Sequence, residues 1–410
     1  VVHSLFIRQD IPTMHPNPAI TLENQFCAHN YSPLPVVIVK GEGVWAIGDD
    51  DKRYLDMMSA YSAVSHGHVH PRIRAAAVAQ IDKISVVSRA FYSEPLGNFL
   101  KTLCRITGFD SALPMNSGAE AVETAIKAAR RWGYRIKGIP ANQANIVVAD
   151  NNFHGRTSTI VGFSSEADYK ADFGPFCNGF TEARFGDIES FRQAITADTC
   201  AVLIEPIQGE AGIRVPAAGF LRELRQLCDQ TNTLLILDEI QSGLGRTGKW
   251  FAFQHEGIRP DALILGKALG GGIMPVSAFV ADHSIMDLFD AGSHGSTFGG
   301  NPLAAAIGLE ALKVLEEEGL IDNSAQLGHY LVERLKAMHS PAIREIRGRG
   351  LWVGVELDRD ARPICEALLA EGLLTKETHE NVLRIAPPLS ITREELDWGL
   401  ERIERVFKQL

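Results

Sequence analysis

The chain has 410 residues, 45% of them hydrophobic and 22% charged, a composition that excludes a disordered, collagen-like or mini-protein chain and leaves room for roughly two or three domains. Lys and Arg total 40 against 50 Asp and Glu, a net charge of −10, and no Lys/Arg block interrupts this acidity, which argues against nucleic-acid or anionic-membrane binding. No apolar stretch approaches the roughly 20 residues that a membrane helix needs.

Residues 1–35 are weakly periodic and rich in Pro and Asn, and they read as an arm outside the core. They carry no signal-peptide or Arg-rich targeting pattern, so the expected location is cytoplasmic. Residues 36–40 and 44–47 flank Gly41-Glu42-Gly43, and Asp49-Asp50-Asp51 precedes 53–56; this predicts a small antiparallel meander. From about residue 95 strands and helices alternate. Short continuous apolar runs at 146–149, 201–204, 234–237, 262–265 and 276–280 read as strands buried on both faces. Helices are predicted between them, as at 120–132 and 220–230. After Asn301 the pattern changes to helices at 303–318 and 324–338, a strand at 351–357, and helices at 364–371 and 393–410. The expectation is an α/β protein. A large domain over 61–302 would hold a mainly parallel sheet, and a small α+β domain would combine 1–60 with 303–410.

Cys27, Cys104, Cys177, Cys200, Cys228 and Cys365 form no C-x-x-C pair. They are expected to be reduced, packed thiols, with no structural zinc, no disulfide framework and no metal site.

Two residues suggest chemistry. Asp238 closes the run 234–238, where a carboxylate at the end of a parallel strand faces the ligand crevice; an N-cap for the next helix explains it equally well. Lys267 leaves the next buried strand into Gly266-Lys267-Ala268-Leu269-Gly270-Gly271-Gly272, although an isolated lysine usually sits on the surface. Together they suit pyridoxal 5′-phosphate, which needs a lysine to hold its aldehyde as a Schiff base and a carboxylate facing its ring nitrogen. Ser117-Gly118-Ala119, opening a helix, offers backbone N–H groups for the phosphate, and the loop 295–301 with Thr297 offers a further hydroxyl. Each is also an ordinary small-residue turn. Phe153 can stack on the ring or fill the core, and Arg156 can clamp a carboxylate or form a surface ion pair. His154 is assigned no catalytic role.

At this point the chain resembles the subgroup III pyridoxal-phosphate aminotransferases of fold type I, and among them the ornithine aminotransferases. The resemblance runs from about His29 to the last helix. It is carried by residues 29–36, by Ser59-Ala60-Tyr61-Ser62-Ala63-Val64 and by Ser88-Arg89-Ala90-Phe91-Tyr92. Glu205-Pro206-Ile207-Gln208-Gly209-Glu210, Leu237-Asp238-Glu239-Ile240-Gln241, Gly266-Lys267-Ala268-Leu269 and residues 384–389 complete it. The resemblance implies a large domain with a seven-stranded-type, mainly parallel sheet.

It also implies roles. Lys267 and Asp238 would be catalytic, Ser117, Gly118 and Ala119 would hold the phosphate, Gln241 the phenolic oxygen, and Phe153 and Ile240 the two ring faces. Thr297 would reach in from a partner subunit, which implies a homodimer or a larger even-numbered assembly. Tyr31 and Arg156 would hold the α-amino and α-carboxylate groups of ornithine, Tyr61 would line its path, and Glu210 would neutralise Arg384 until a dicarboxylate 2-oxo acid arrives. The implied reaction is δ-transamination of L-ornithine with 2-oxoglutarate, giving L-glutamate 5-semialdehyde, which cyclises to pyrroline-5-carboxylate, and L-glutamate. Acetylornithine and 4-aminobutyrate aminotransferases are the near rivals, with Tyr61 and the Tyr31 segment against both. An aminomutase needing no 2-oxo acid and a cofactor-free binding protein are the rivals of other classes.

Overall fold

The computed structural model describes residues 17–410; the arm before Asn17 lies outside the described residues. The rest of the arm carries a helix, Pro18–Phe26, in which no residue is buried. The meander forms as its turn residues predict, with Ile38–Glu42, Trp45–Gly48 and Arg53–Asp56 antiparallel. Its fourth strand comes from the other end of the chain: Leu373–Leu374 pairs in parallel with Arg53–Asp56.

The central sheet has seven strands in the order Ser111–Met115, Ser277–Ala281, Ala262–Leu265, Leu234–Asp238, Thr199–Ile204, Asn145–Ala149 and Phe180–Ala183. Only Ser277–Ala281 runs against its neighbours, so six strands point one way. The four strands from Ser277–Ala281 to Thr199–Ile204 are buried at every residue, which is why they read as unbroken apolar runs. The edge strand Phe180–Ala183 buries only its last residue and carries Thr181 and Glu182, so it leaves no apolar run in the sequence.

Helix Gly118–Trp132 begins two residues before its apolar pattern because Ser117 caps it in a box with Glu120. Helix Pro302–Glu317 starts on the side chain of Asn301, which accepts from the Ala304 N–H at 2.8 Å. The following helix is Leu320–Lys336, four residues earlier in its start than the sequence predicts, because Gly319 in the left-handed region breaks the chain there. A further antiparallel sheet runs in the order Ile343–Gly348, Val353–Leu357, Val382–Ile385, Lys376–Thr378, with helix Leu320–Lys336 packed on its first strand and helix Arg362–Ala370 on its last, while helix Arg393–Phe407 lies against the meander, its Trp398 ring 5.0 Å from that of Trp45. The predicted strand at 351–357 thus begins at Val353. All six cysteines are free, but the expectation that they are packed fails for Cys27 and Cys177, which are exposed. Cys200, Cys228 and Cys365 are buried, and desolvation pushes each thiol up to about 12.

A fully buried cation fastens the layers together. The Arg246 guanidinium donates from Nη1 to the carbonyls of Leu351 (2.9 Å) and Pro387 (2.6 Å), and from Nη2 to Ser65 Oγ (2.9 Å). Desolvation lowers its pKa to about 9, with Asp56 opposing. We expect Arg246→Met to fill the volume yet leave both carbonyls without donors. The loss is on the order of 2–6 kcal/mol in urea unfolding, since each of the two orphaned buried carbonyls costs about 1–3 kcal/mol. An unfolding midpoint equal to wild type would show that the cation contributes no net stability.

Candidate active site

The site forms where the parallel strands end. Strand Leu234–Asp238 delivers Asp238, 4% exposed, whose Oδ1 accepts from the Ile240 N–H at 3.0 Å and whose Oδ2 lies 2.7 Å from His154 Nδ1. The neighbouring Glu239 points the other way into the interior. It accepts from Ser242 Oγ (2.7 Å) and from the N–H groups of Ala252 (3.0 Å) and Phe253 (2.9 Å), and desolvation pushes it up to about 7. This buried staple holds the turn that carries Ile240 and Gln241.

Strand Ala262–Leu265 ends at Gly266, and Lys267 follows with φ 44°. A non-glycine residue in the left-handed region costs on the order of 1–2 kcal/mol, strain of the kind that clusters at functional sites. The Lys267 amine has no hydrogen bond or ion pair among the described residues. Desolvation holds it below the ordinary lysine value, with Glu210 opposing and Arg384 adding to the effect. Lys267 and Asp238 line one cavity of about 200 Å³, together with Gly118, Ala119, Phe153 and Gln241. Ile240 lines it as well.

Gly118 and Ala119 occupy the first turn of helix Gly118–Trp132, where backbone N–H groups have no intrahelical acceptor. A Cβ on Gly118 would lie 2.9 Å from Ile240 Cδ1, so a side chain there would have to push aside the end of the Ile240 side chain that lines the cavity. Ser117 is exposed, and its hydroxyl accepts from the Glu120 N–H.

Tyr61 sits on an unusual turn. Ser59, Ala60, Tyr61 and Ser62 all have positive φ (49°, 44°, 58° and 76°). Asp56 Oδ1 pins this turn by accepting from the N–H groups of Met58 and Ser59, both at 2.8 Å, and Ser59 Oγ donates to the Ala386 carbonyl at 2.6 Å. The Arg384 guanidinium lies 5.0 Å from the centre of the Tyr61 ring. Arg384 is 1% exposed; its Nη2 donates to Glu210 Oε1 (3.0 Å) and to the Gly209 carbonyl (3.2 Å). Gln241 Nε2 donates to the same Glu210 oxygen at 3.2 Å. Burial raises the Glu210 pKa, but Arg384, Lys267 and Gln241 outweigh it and hold the carboxylate below its ordinary value. Read singly, Glu210 and Arg384 look like surface polar residues; the fold buries Arg384 and leaves its partner Glu210 half-buried beside it.

The remaining positions differ. The Arg156 side chain is exposed, its guanidinium 3.6 Å from the Tyr169 ring centre and 5.4 Å from that of Phe153, and no carboxylate pairs with it among the described residues. Tyr31 is 80% exposed. Thr297 is exposed and does not line this chain's cavity, although its neighbour Ser296 accepts from Asn116 Nδ2 at 2.8 Å beside the helix start.

The class-III aminotransferase family model matches residues 26–407. The chain belongs to this family. An ornithine aminotransferase 2 of Staphylococcus aureus strain Mu50 is 55% identical over 389 residues, covering 95% of this chain and 98% of the relative. A structure of the ornithine aminotransferase from Toxoplasma gondii, crystallised with oxidised glutathione and described as having pyridoxal phosphate at partial occupancy in its active site, is 40% identical. It superposes with a TM-score of 0.94 over 95% of this chain and 93% of its own. An acetylornithine aminotransferase from Elizabethkingia anophelis is 42% identical, with a TM-score of 0.87 over 96% and 98% of the two chains.

Class-III aminotransferases use pyridoxal phosphate, and the open valences of this cavity suit it. Gln241 Oε1 and Arg384 Nη1 are buried without a partner, the Lys267 amine is unengaged, and the N–H groups of Gly118 and Ala119 open the helix. Sequence reasoning passed over two residues at this aminotransferase site, His154 and Glu205. The argument that picked out Asp238 applies equally to Glu205, a carboxylate just past the buried strand Thr199–Ile204. His154 stood in the same motif as Phe153, but only the fold brings it to Asp238.

Proposed function

We propose that the chain is an ornithine δ-aminotransferase, moving the δ-amino group of L-ornithine to 2-oxoglutarate and working as a homodimer. The observation that carries this reading is one cavity holding an unengaged lysine and a strand-end carboxylate, with the Glu210–Arg384 pair hydrogen-bonded to its wall residue Gln241. Bound pyridoxal phosphate supplies an aldehyde to receive the amine and a ring that accepts the charge developing on the reacting carbon.

Lys267 would hold the aldehyde at rest, and its Nζ would take the proton from the δ-carbon of ornithine. Asp238 would face the ring nitrogen, and Gln241 would donate to the phenolic oxygen through the Nε2 hydrogen not given to Glu210. Phe153 and Ile240 would cover the ring faces. Ser117, Gly118 and Ala119 hold the phosphate, completed by Thr297 of a second copy. The exposure of Thr297 outside its own cavity is compatible with such a role.

Ornithine must offer its terminal amine, so its α-carboxylate has to be held at the far end. Arg156, stacked on Tyr169 and with no carboxylate paired to it among the described residues, would do this, with Tyr31 and Tyr61 for the α-amino group. Arg384 would otherwise draw that carboxylate to the wrong place; Glu210 at 3.0 Å neutralises it. A dicarboxylate 2-oxo acid needs both arginines: the carboxylate beside its reacting carbonyl displaces Glu210 from Arg384, and its distal carboxylate takes Arg156.

The test is a donor panel of ornithine, N-acetylornithine and 4-aminobutyrate with 2-oxoglutarate, on wild type and Tyr61→Ile. Ornithine should be the best donor for wild type, yielding semialdehyde or its cyclised product. Tyr61→Ile should lower kcat/KM for ornithine by at least about tenfold, the loss of one hydrogen bond to a charged group, while sparing or raising the rate with 4-aminobutyrate. Preference for N-acetylornithine would move the assignment to that branch of the family. Equal losses on both donors, with a lower Tm, would make Tyr61 a packing residue only.

A further inference from the structure

The fold holds Arg384 and Arg156 in opposite ways. Arg384 is buried and paired with Glu210 at 3.0 Å. Arg156 is exposed, and no carboxylate pairs with it among the described residues; its guanidinium lies over the Tyr169 ring instead, 3.6 Å from the centre. That ring meets Phe153, a wall residue of the cavity, in a T-shaped contact at 6.3 Å and 81°. Phe153, Tyr169 and Arg156 thus form one stack leading outward from the cavity.

The backbone fixes both partners. Arg156 follows Gly155, whose φ is 132° and where a Cβ would lie 3.0 Å from that of Ala119, so the turn passes tightly by the helix start. Tyr169 is half-buried on the short helix Ala167–Lys170. The Asn151 N–H donates to Ser165 Oγ at 2.6 Å and the Tyr169 N–H to the Glu166 carbonyl at 3.2 Å, which ties this loop to the strand end that leads into Phe153.

We propose that Tyr169 is a positioning residue for the carboxylate remote from the reacting carbon: its ring face holds the Arg156 guanidinium in place without neutralising it. The proposal rests on the ornithine aminotransferase reading above, in which Arg156 receives the α-carboxylate of ornithine and the distal carboxylate of 2-oxoglutarate. A carboxylate partner would also hold Arg156, but it would compete with the substrate, as Glu210 does at Arg384. An aromatic face attracts the flat guanidinium through its π electrons and leaves the N–H groups on its edge free for a two-pronged contact. A side chain held in this way has less rotamer freedom to lose when the carboxylate arrives. Burial lifts the Tyr169 phenol above its ordinary pKa against the pull of Arg156, with Glu210 adding, so it stays neutral and does not become a phenolate paired with that cation. Tyr169 acts through Arg156.

The test uses the cofactor-loaded full chain with Tyr169→Leu and Tyr169→Phe. Each half-reaction is followed in single turnovers by the cofactor's visible band. Tyr169→Leu should raise the half-saturating concentrations of ornithine and 2-oxoglutarate at least ~5-fold, with limiting rates within ~2-fold, because a mobile arginine has to be ordered on binding. Putrescine, which is ornithine without its carboxylate, and pyruvate, which lacks the distal carboxylate, should change by less than ~2-fold in kcat/KM. Glutarate carries both carboxylates and has nothing to react; its Kd from calorimetry should also weaken at least ~5-fold. Tyr169→Phe keeps the ring face and should match wild type within ~2-fold throughout. Unchanged constants for ornithine, 2-oxoglutarate and glutarate in Tyr169→Leu would overturn the proposal. So would equal losses on all four substrates with a lower Tm, the mark of packing alone, or a Tyr169→Phe variant as impaired as Tyr169→Leu. If Tyr169→Leu fails to fold, Tyr169→Gln makes the same comparison. If wild type does not use ornithine, the substrate reading falls, while 2-oxoglutarate against pyruvate and the binding of glutarate still decide the role of Tyr169.

Discussion

Lys267→Ala is expected to lower turnover with ornithine by at least about 10⁴-fold, the upper end of what one proton-transfer group contributes, because the same amine also anchors the cofactor. The substitution leaves the fold intact. The backbone at 267 already sits at φ 44° with a Cβ present, and the side-chain amine makes no hydrogen bond or ion pair that the rest of the structure depends on. The cofactor should still be retained, since Gly118, Ala119, Asp238 and Gln241 remain in the cavity wall. Loss of the group that takes the δ-proton should be partly relieved by small primary amines added to the buffer. Single-turnover kinetics, with and without methylamine, check this. Turnover at the wild-type rate without added amine would remove Lys267 from the chemistry.

Asp238→Ala should fail in two ways at once. It removes the carboxylate that faces the ring nitrogen, which should cost on the order of 10²–10³-fold in kcat, as for other fixed charges aimed at a developing charge. It also leaves the His154 ring buried without its 2.7 Å partner and frees the Ile240 N–H. Breaking one half of a buried pair costs roughly 3–5 kcal/mol, so the Tm should fall clearly. Asp238→Asn separates the two effects. Its amide oxygen can still accept from Ile240, so much of the stability should return while activity does not. If Asp238→Asn kept the wild-type kcat, Asp238 would be a turn-capping residue and nothing more.

These two residues were legible in the sequence because each ends a continuous apolar run, and such runs mark strands covered on both faces. Much of the central sheet is legible for the same reason. Phe180–Ala183 is not, because an edge strand with one buried residue needs no apolar run. Val382–Ile385 is not, because Arg384 interrupts it, and a buried arginine makes sense only once Glu210, 174 residues away, has been brought to it. A separation of 84 residues likewise hides the contact between His154 and Asp238. Tyr61 was placed by resemblance alone; nothing in Ser59-Ala60-Tyr61-Ser62 foretells a left-handed turn made of four non-glycine residues, which Asp56 holds from outside. The exposed Cys27 and Cys177 escaped because spacing shows whether thiols can pair, not how deeply they lie.

The central claim, transfer of the terminal amine with the α-end of ornithine held away by Arg156, is tested most directly by following nitrogen. Ornithine labelled with ¹⁵N at the δ-position is turned over with 2-oxoglutarate, and the glutamate formed is analysed by mass spectrometry; ornithine labelled only at the α-nitrogen is run in parallel. The account predicts that the δ-label appears in glutamate, while the α-label stays with the semialdehyde and its cyclised form. Glutamate carrying the α-label would contradict it, because the substrate would then be binding in the reverse direction, with its α-carboxylate at Arg384.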